Sequence, residues 1–166
     1  MANGSGVIGK MVLEGVWTHS MISNFNNVKN TWNKWYYYFK SHNFVSLNQE
    51  LPFTANGQWR LDTNLDKINE WTLASNNSNT IQAYNMLCSE MLANTDECGV
   101  SNSWIQLSFV EEEGGCGLLR EATAEILCST SQGLYGIVTS SDEYEYTKEN
   151  LVKLGFCDNI ESIDWM

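Results

Sequence analysis

The stretch SWIQLSFVEEEGGCGLLREATAEILC, residues 103–128, decides the fold. From 103 to 111 apolar and polar residues alternate: Ile105, Leu107 and Phe109 point one way, Gln106 and Ser108 the other. That is the period of a strand with one buried face. Gly114-Gly115 supplies a turn, and residues 118–128 return with Leu118, Ala122, Ala124 and Ile126 on one face. Glu121, Thr123 and Glu125 share the wetter face. Two alternating runs about a glycine pair predict a β-hairpin. Gly133 and the apolar run over 134–139 predict a further strand.

Upstream, residues 7–17 are rich in β-formers and glycine and predict a first strand. Phe25, Val28, Trp32, Trp35 and Phe39 are spaced 3-4-3-4, which predicts one long amphipathic helix from Ser23 to His42. Leu51, Phe53, Trp59 and Leu61 predict a second extended region, broken by turn chemistry at Ala55-Asn56-Gly57. Leu65, Ile68, Trp71 and Thr72 form a short helical stripe. Ser78 or Asn79 caps another helix with Ile81, Tyr84, Leu87, Cys88 and Met91 on its apolar face. Ser141 and Asp142 are the expected caps of a last helix running to Leu154, stopped by Gly155 and Phe156. The expected class is α+β: an antiparallel sheet with helices packed mainly on one face, with ferredoxin-like topology.

At 166 residues the chain is long enough for a single globular domain, 1–166, with residues 1–6 flexible. No run approaches the ~20 apolar residues that span a bilayer, and the start Met1-Ala2-Asn3-Gly4-Ser5-Gly6 lacks the features of a signal peptide. A cytoplasmic location with no membrane contact is expected. Cys88, Cys98, Cys116, Cys128 and Cys157 are odd in number and contain no CxxC pair, so they read as reduced, small buried residues.

Charge is divided unevenly. Residues 1–83 hold six bases and five acids, a net of +1, whereas residues 84–166 hold three bases and fifteen acids, a net of −12. Together these give −11, a charge that opposes phosphate backbones. Lys29, Lys34, Lys40 and Arg60 near Trp32, Trp35 and Tyr38 are only a faint basic and aromatic stripe, so no direct nucleic-acid binding is expected.

Glu111, Glu112 and Glu113 at the hairpin tip, with Glu121 and Glu125 on the returning strand, have the residue types for a divalent cation or an acid/base pair. Three acids at a turn are more simply a solvated tip, and strand alternation splays them to opposite faces. His19 and Cys116 would have to meet in space to act as base and nucleophile, and no catalytic or phosphate-binding motif accompanies them. No catalytic residue, metal ligand or cofactor is therefore assigned.

Two stretches, Phe53-Thr54-Ala55-Asn56-Gly57-Gln58-Trp59 leading to Asn64-Leu65 and Trp71, and residues 105–126 with Phe109-Val110-Glu111-Glu112-Glu113-Gly114-Gly115-Cys116, resemble the ferredoxin-like proteins of plasmids, phages and integrative elements that accompany antirestriction and anti-CRISPR genes. They cover less than half the chain, and no functional residue carries over. The resemblance implies a mobile-element context. With the charge division, it leads to the expectation of an acidic interaction protein that inhibits a basic, nucleic-acid-handling protein partner. The residues assigned to that partner are Glu111, Glu112, Glu113, Glu121, Glu125, Asp142, Glu143, Glu145 and Glu149. Tyr144 and Trp165 are the expected apolar anchors. The alternatives are a small hydrolytic enzyme built on the carboxylates and an immunity or antitoxin protein against a nuclease toxin. Seven tryptophans also leave a self-associating aromatic face, and hence a homo-oligomer, open.

Overall fold

The computed structural model describes residues 4–32 and 37–156. Its elements, in chain order, are β1 (Gly4–Glu14), α1 (His19–Lys29), β2 (Tyr37–Ser41), β3 (Glu50–Gln58), α2 (Leu61–Leu65), α3 (Ile68–Ala74), α4 (Ser78–Leu92), β4 (Trp104–Glu113), β5 (Leu118–Ser129), β6 (Gly133–Glu143) and α5 (Lys148–Lys153). Among the described residues this is an α+β fold with one six-stranded sheet, in the order β2-β3-β1-β4-β5-β6. All five pairings are antiparallel. The sheet has six strands rather than the four of a ferredoxin-like domain.

The hairpin and both its faces are as expected. Ile105 sits opposite Ile126, Leu107 opposite Ala124 and Phe109 opposite Ala122, all buried. They meet Val7 and Met11 of β1, Phe25 and Val28 of α1, Leu61, Leu65, Ile68 and Trp71 of α2 and α3, and Leu87 and Met91 of α4 in one continuous core. So α1–α4 cover one face of the sheet. The short α5 lies on the other, where Tyr146 reaches Glu112 and Gly155 packs against Ile8.

The long aromatic helix is not formed. α1 starts at a Thr18 cap and ends at Lys29, and Phe39 lies on β2, where its N–H donates to Trp32 O at 3.0 Å. The stripe is nevertheless core: Phe25, Val28, Trp32 and Phe39 are all buried. Phe25 packs edge-on to Trp17 and Trp32, and Phe39 stacks on Phe53 with centroids 4.7 Å apart. Such pairs contribute about 0.5–1.5 kcal/mol each beyond their burial. Apolar spacing alone did not distinguish a continued helix from a turn back into the sheet. Trp35 lies outside the described residues.

Three further boundaries move. Ala55-Asn56-Gly57 continues β3 instead of turning, because it is paired on both sides, to β1 and to β2. Asn77, rather than Ser78 or Asn79, caps α4 through its side-chain oxygen. β6 runs on to Glu143, so Ser141 and Asp142 are strand residues and Thr147 caps α5. The stop at Gly155 holds: its φ is 97°, and the Phe156 N–H donates to Leu151 O. Residues 4–6 belong to β1 and are not a loose end.

Gly9 sits mid-strand between two aromatic neighbours. A Cβ there would fall 2.5 Å from Ser108 O, 2.7 Å from Phe109 Cβ and 2.8 Å from Phe53 Cε1. Both walls are rigid, so Gly9→Ala is expected to lower stability by about 1–3 kcal/mol in urea unfolding. An unchanged midpoint would show that β1 can shift to make room.

Candidate functional site

The nine carboxylates assigned to partner binding do not form one surface. The alternation that buries Ile105, Leu107 and Phe109 continues through Glu111 and Glu113, which are 0% and 6% exposed. Glu111 lies directly opposite Arg120 across the hairpin. Arg120 Nε and Nη2 donate to Glu111 Oε1 at 2.9 and 2.5 Å. Ser5 Oγ and the Leu61 backbone N–H donate to Oε2, each at 2.7 Å. With four donors, neither oxygen has spare capacity to act as base or metal ligand. Glu111 thus ties β1, β4, β5 and the start of α2 together. Arg120 also lies over the Phe109 ring, 5.9 Å from its centroid, and faces Asp62 at 3.9 Å.

Glu113 pairs with Arg60 Nε at 3.4 Å and accepts from Cys116 Sγ at 3.3 Å. Glu112 points to the opposite face, half-buried, and accepts from the Tyr146 hydroxyl at 3.0 Å. Burial lifts Glu112 above its ordinary carboxylate range, the neighbouring Glu111 and Glu113 charges add to this, and the Tyr146 hydrogen bond opposes it. Tyr146 is pushed up to about 12, first by burial and then by the Glu112 charge. The triplet expected as an exposed tip is therefore structural: two members are buried with arginines and the third secures α5.

The remaining six acids are of another kind. Glu121, Asp142, Glu143, Glu145 and Glu149 are exposed and Glu125 is half-exposed. None of the six is in an ion pair among the described residues. Glu121 and Asp142 lie directly opposite each other on β5 and β6, on the face away from α1–α4. Like charges so placed repel. Tyr144 donates its hydroxyl to Glu121, and that hydrogen bond holds the phenol proton and raises its pKa. Glu121 and Asp142 border a groove of about 560 Å³ across the uncovered part of the sheet, whose floor includes Ile8, Ser108, Val110 and Thr123.

His19 opens α1 near the Glu14 end of β1, which pairs with Trp104, whereas Cys116 follows Glu113 at the far end of β4. The pair is separated by the length of that strand. Among the described residues no three His, Cys, Asp or Glu side chains are grouped to hold a metal ion. Cys128 is buried and Cys88 half-buried, but Cys98 and Cys116 are exposed, contrary to the expectation of buried thiols. No described helix is long and apolar enough to cross a membrane. Trp165 and Cys157 lie outside the described residues.

One signal was available for the buried pair. In a strand of period two, Glu111 shares parity with Phe109, and Arg120 shares parity with Ala122, so the pattern places both on the core face. Comparison with family models, with curated proteins and with solved structures finds no match to this chain. The mobile-element resemblance rests on the two stretches quoted for it alone.

Proposed function

We propose that this is an acidic interaction protein that binds and inhibits a basic, nucleic-acid-handling partner. The surface is narrower than the sequence suggested: it centres on Glu121 and Asp142, which share a face, while Glu143 lies opposite Arg120 on the other face and Glu125, Glu145 and Glu149 supply further exposed or half-exposed charge. The observation that supports this reading is the facing pair Glu121 and Asp142, neither of them in an ion pair among the described residues; Lys10, which lines the groove they border, is paired with Glu50 at 3.0 Å. A like-charge pair directly across strands is unfavourable, and a partner's lysine or arginine placed between them removes that repulsion. Complementary charge of this kind accelerates encounter and selects the partner, while buried apolar anchors supply most of the affinity. Tyr144, half-exposed beside Glu121, is the anchor in reach.

In the fold we read β1-α1-β2-β3 followed by α2–α4 and β4 as a split βαβ, ferredoxin-like core, with β5 and β6 added at its β4 edge. β1 and β2 run in the same direction with β3 between them, and the same holds for β3 and β4 about β1. In this reading the added strands carry Glu121, Glu125 and Asp142 on the face away from α1–α4, and Glu143 on the other.

The test is capture of partners from the host lysate, followed by kinetics with the captured protein. The on-rate should fall at least tenfold between about 50 and 500 mM salt, since exposed charges are screened over such a range. The combined variant Glu121→Gln, Asp142→Asn, Glu143→Gln, Glu145→Gln, Glu149→Gln should lose that salt dependence. An on-rate indifferent to salt, or a partner with an acidic binding face, would sink the proposal. The identity of the captured partner separates a defence enzyme from a nuclease toxin.

A further inference from the structure

Lys29 ends α1 with a side chain that is 2% exposed. Among the described residues each of its ammonium's partners is neutral: His42 O at 3.0 Å, Asn30 Oδ1 at 3.3 Å and Asn43 Oδ1 at 3.5 Å. No carboxylate among the described residues is within ion-pair distance of it. Beside it lies a cavity of about 300 Å³ lined by Lys29, Asn30, Phe39, Lys40 and Ser41. Buried charges are ordinarily kept with a counter-charge, because amide and carbonyl dipoles only partly replace lost hydration. Every other buried charge described here has one: Glu111 and Arg120 face each other, and Glu113 has Arg60.

We propose that this cavity is a binding site for a small oxyanion, with Lys29 as its fixed counter-charge. The walls suit one. Asn30 in the wall, and Asn43 beside the ammonium but not among the lining residues, each carry an NH₂ group as well as the oxygen now turned to the ammonium, so rotating either amide exchanges an acceptor for two donors. Ser41 adds a hydroxyl that donates to His42 O at 3.0 Å and is exposed enough to turn. Lys40, which makes no ion pair among the described residues, also lines the cavity, with its side chain on the alternate face of β2 from Phe39. Burial lowers Lys29 to about 8, so it remains mostly charged at neutral pH, and a perturbed group in a cleft is a recognised mark of a binding site. β2 and β6 are opposite edges of the sheet, so this site is remote from the acidic surface and stands or falls independently of it.

The experiment titrates the full chain at pH 7 with potassium phosphate and with potassium acetate, against potassium chloride at equal ionic strength. It follows the thermal midpoint and the backbone amide NMR spectrum. Phosphate, acetate or both should raise the midpoint at low millimolar concentration where chloride does not, and their relative potency assigns the preferred oxyanion. Amide shifts should centre on Lys29, Asn30, Ser41 and Asn43. Lys29→Met should weaken the response at least tenfold, and raising the pH from 7 to 9.5 should weaken it in the unsubstituted protein as Lys29 loses its proton. No anion-specific change, an equal response in folded Lys29→Met, or amide shifts confined to other regions would overturn the proposal. Because the NMR readout uses the unsubstituted protein, the test survives a variant that does not fold.

Discussion

Arg120→Met is expected to lower the stability of the fold by about 3–5 kcal/mol, the usual result of removing one partner from a buried ion pair. Glu111 is 0% exposed and would be left with only Ser5 Oγ and the Leu61 N–H to hold it. In a chain of this size, each kcal/mol moves the thermal midpoint by roughly 2–4 °C, so the loss should exceed about 6 °C. The cause is separable from lost packing on Phe109 by a double-mutant cycle. In a Glu111→Gln background no charge is stranded, and the introduced amide retains an oxygen for the Leu61 N–H. There Arg120→Met should cost about 2 kcal/mol less than in the parent. Equal costs in the two backgrounds would show that Arg120 acts through its stem and its contact with the ring, not through Glu111.

That network also shows what the sequence displayed and what it concealed. Periodicity identified the hairpin because every second residue from Ile105 to Phe109 is apolar. Two residues further on the same parity places Glu111 in the core, but residue type argues for solvent. Residue type misleads here because the partner comes from the facing strand and the caps from β1 and α2, contacts of long sequence separation. The second half of the aromatic stripe failed for a related reason. Phe39 is seven residues from Trp32, which suits two helical turns, yet it is equally buried when the chain leaves the helix at Asn30 and returns as β2. Burial sets the apolar identity of the residue, while the path between Trp32 and Phe39 is set by pairing with β3. Lys29 was hidden in the same way. It lies four residues after Phe25 and three before Trp32, inside the stripe, and only its charge kept it from being read as core.

Lys29→Met is expected to change how stability responds to pH. Lys29 sits at about 8 in the folded chain, lowered from 10.5 by burial. Between those values the unfolded chain holds a proton that the folded chain has released, so folding grows more favourable as pH rises through the window. Below about 8 both states are protonated and the full cost of burying the ammonium is present, about 3 kcal/mol from the two values. The C-terminal end of α1 favours a cation by only ~0.3–1 kcal/mol and does not offset that cost. Between pH 7 and pH 10 the unsubstituted protein should therefore gain about 2–3 kcal/mol relative to Lys29→Met, whose residue 29 cannot titrate. Comparing the two chains at each pH is necessary because other groups titrate nearby. Tyr84 and Tyr146 are raised above the ordinary tyrosine value and work against folding above pH 10, and the paired thiols shift in opposite directions, Cys88 down and Cys128 up. All four are common to both proteins and cancel in the difference. At pH 7 the variant loses the ammonium's cost but leaves His42 O without its donor, worth about 1–3 kcal/mol, so the two chains should be similarly stable there. Urea unfolding at pH 7, 8, 9 and 10 measures this directly. A difference that stays flat across the series would mean that Lys29 retains an ordinary lysine pKa in the folded chain, and that its ammonium is better neutralised than its three neutral partners allow.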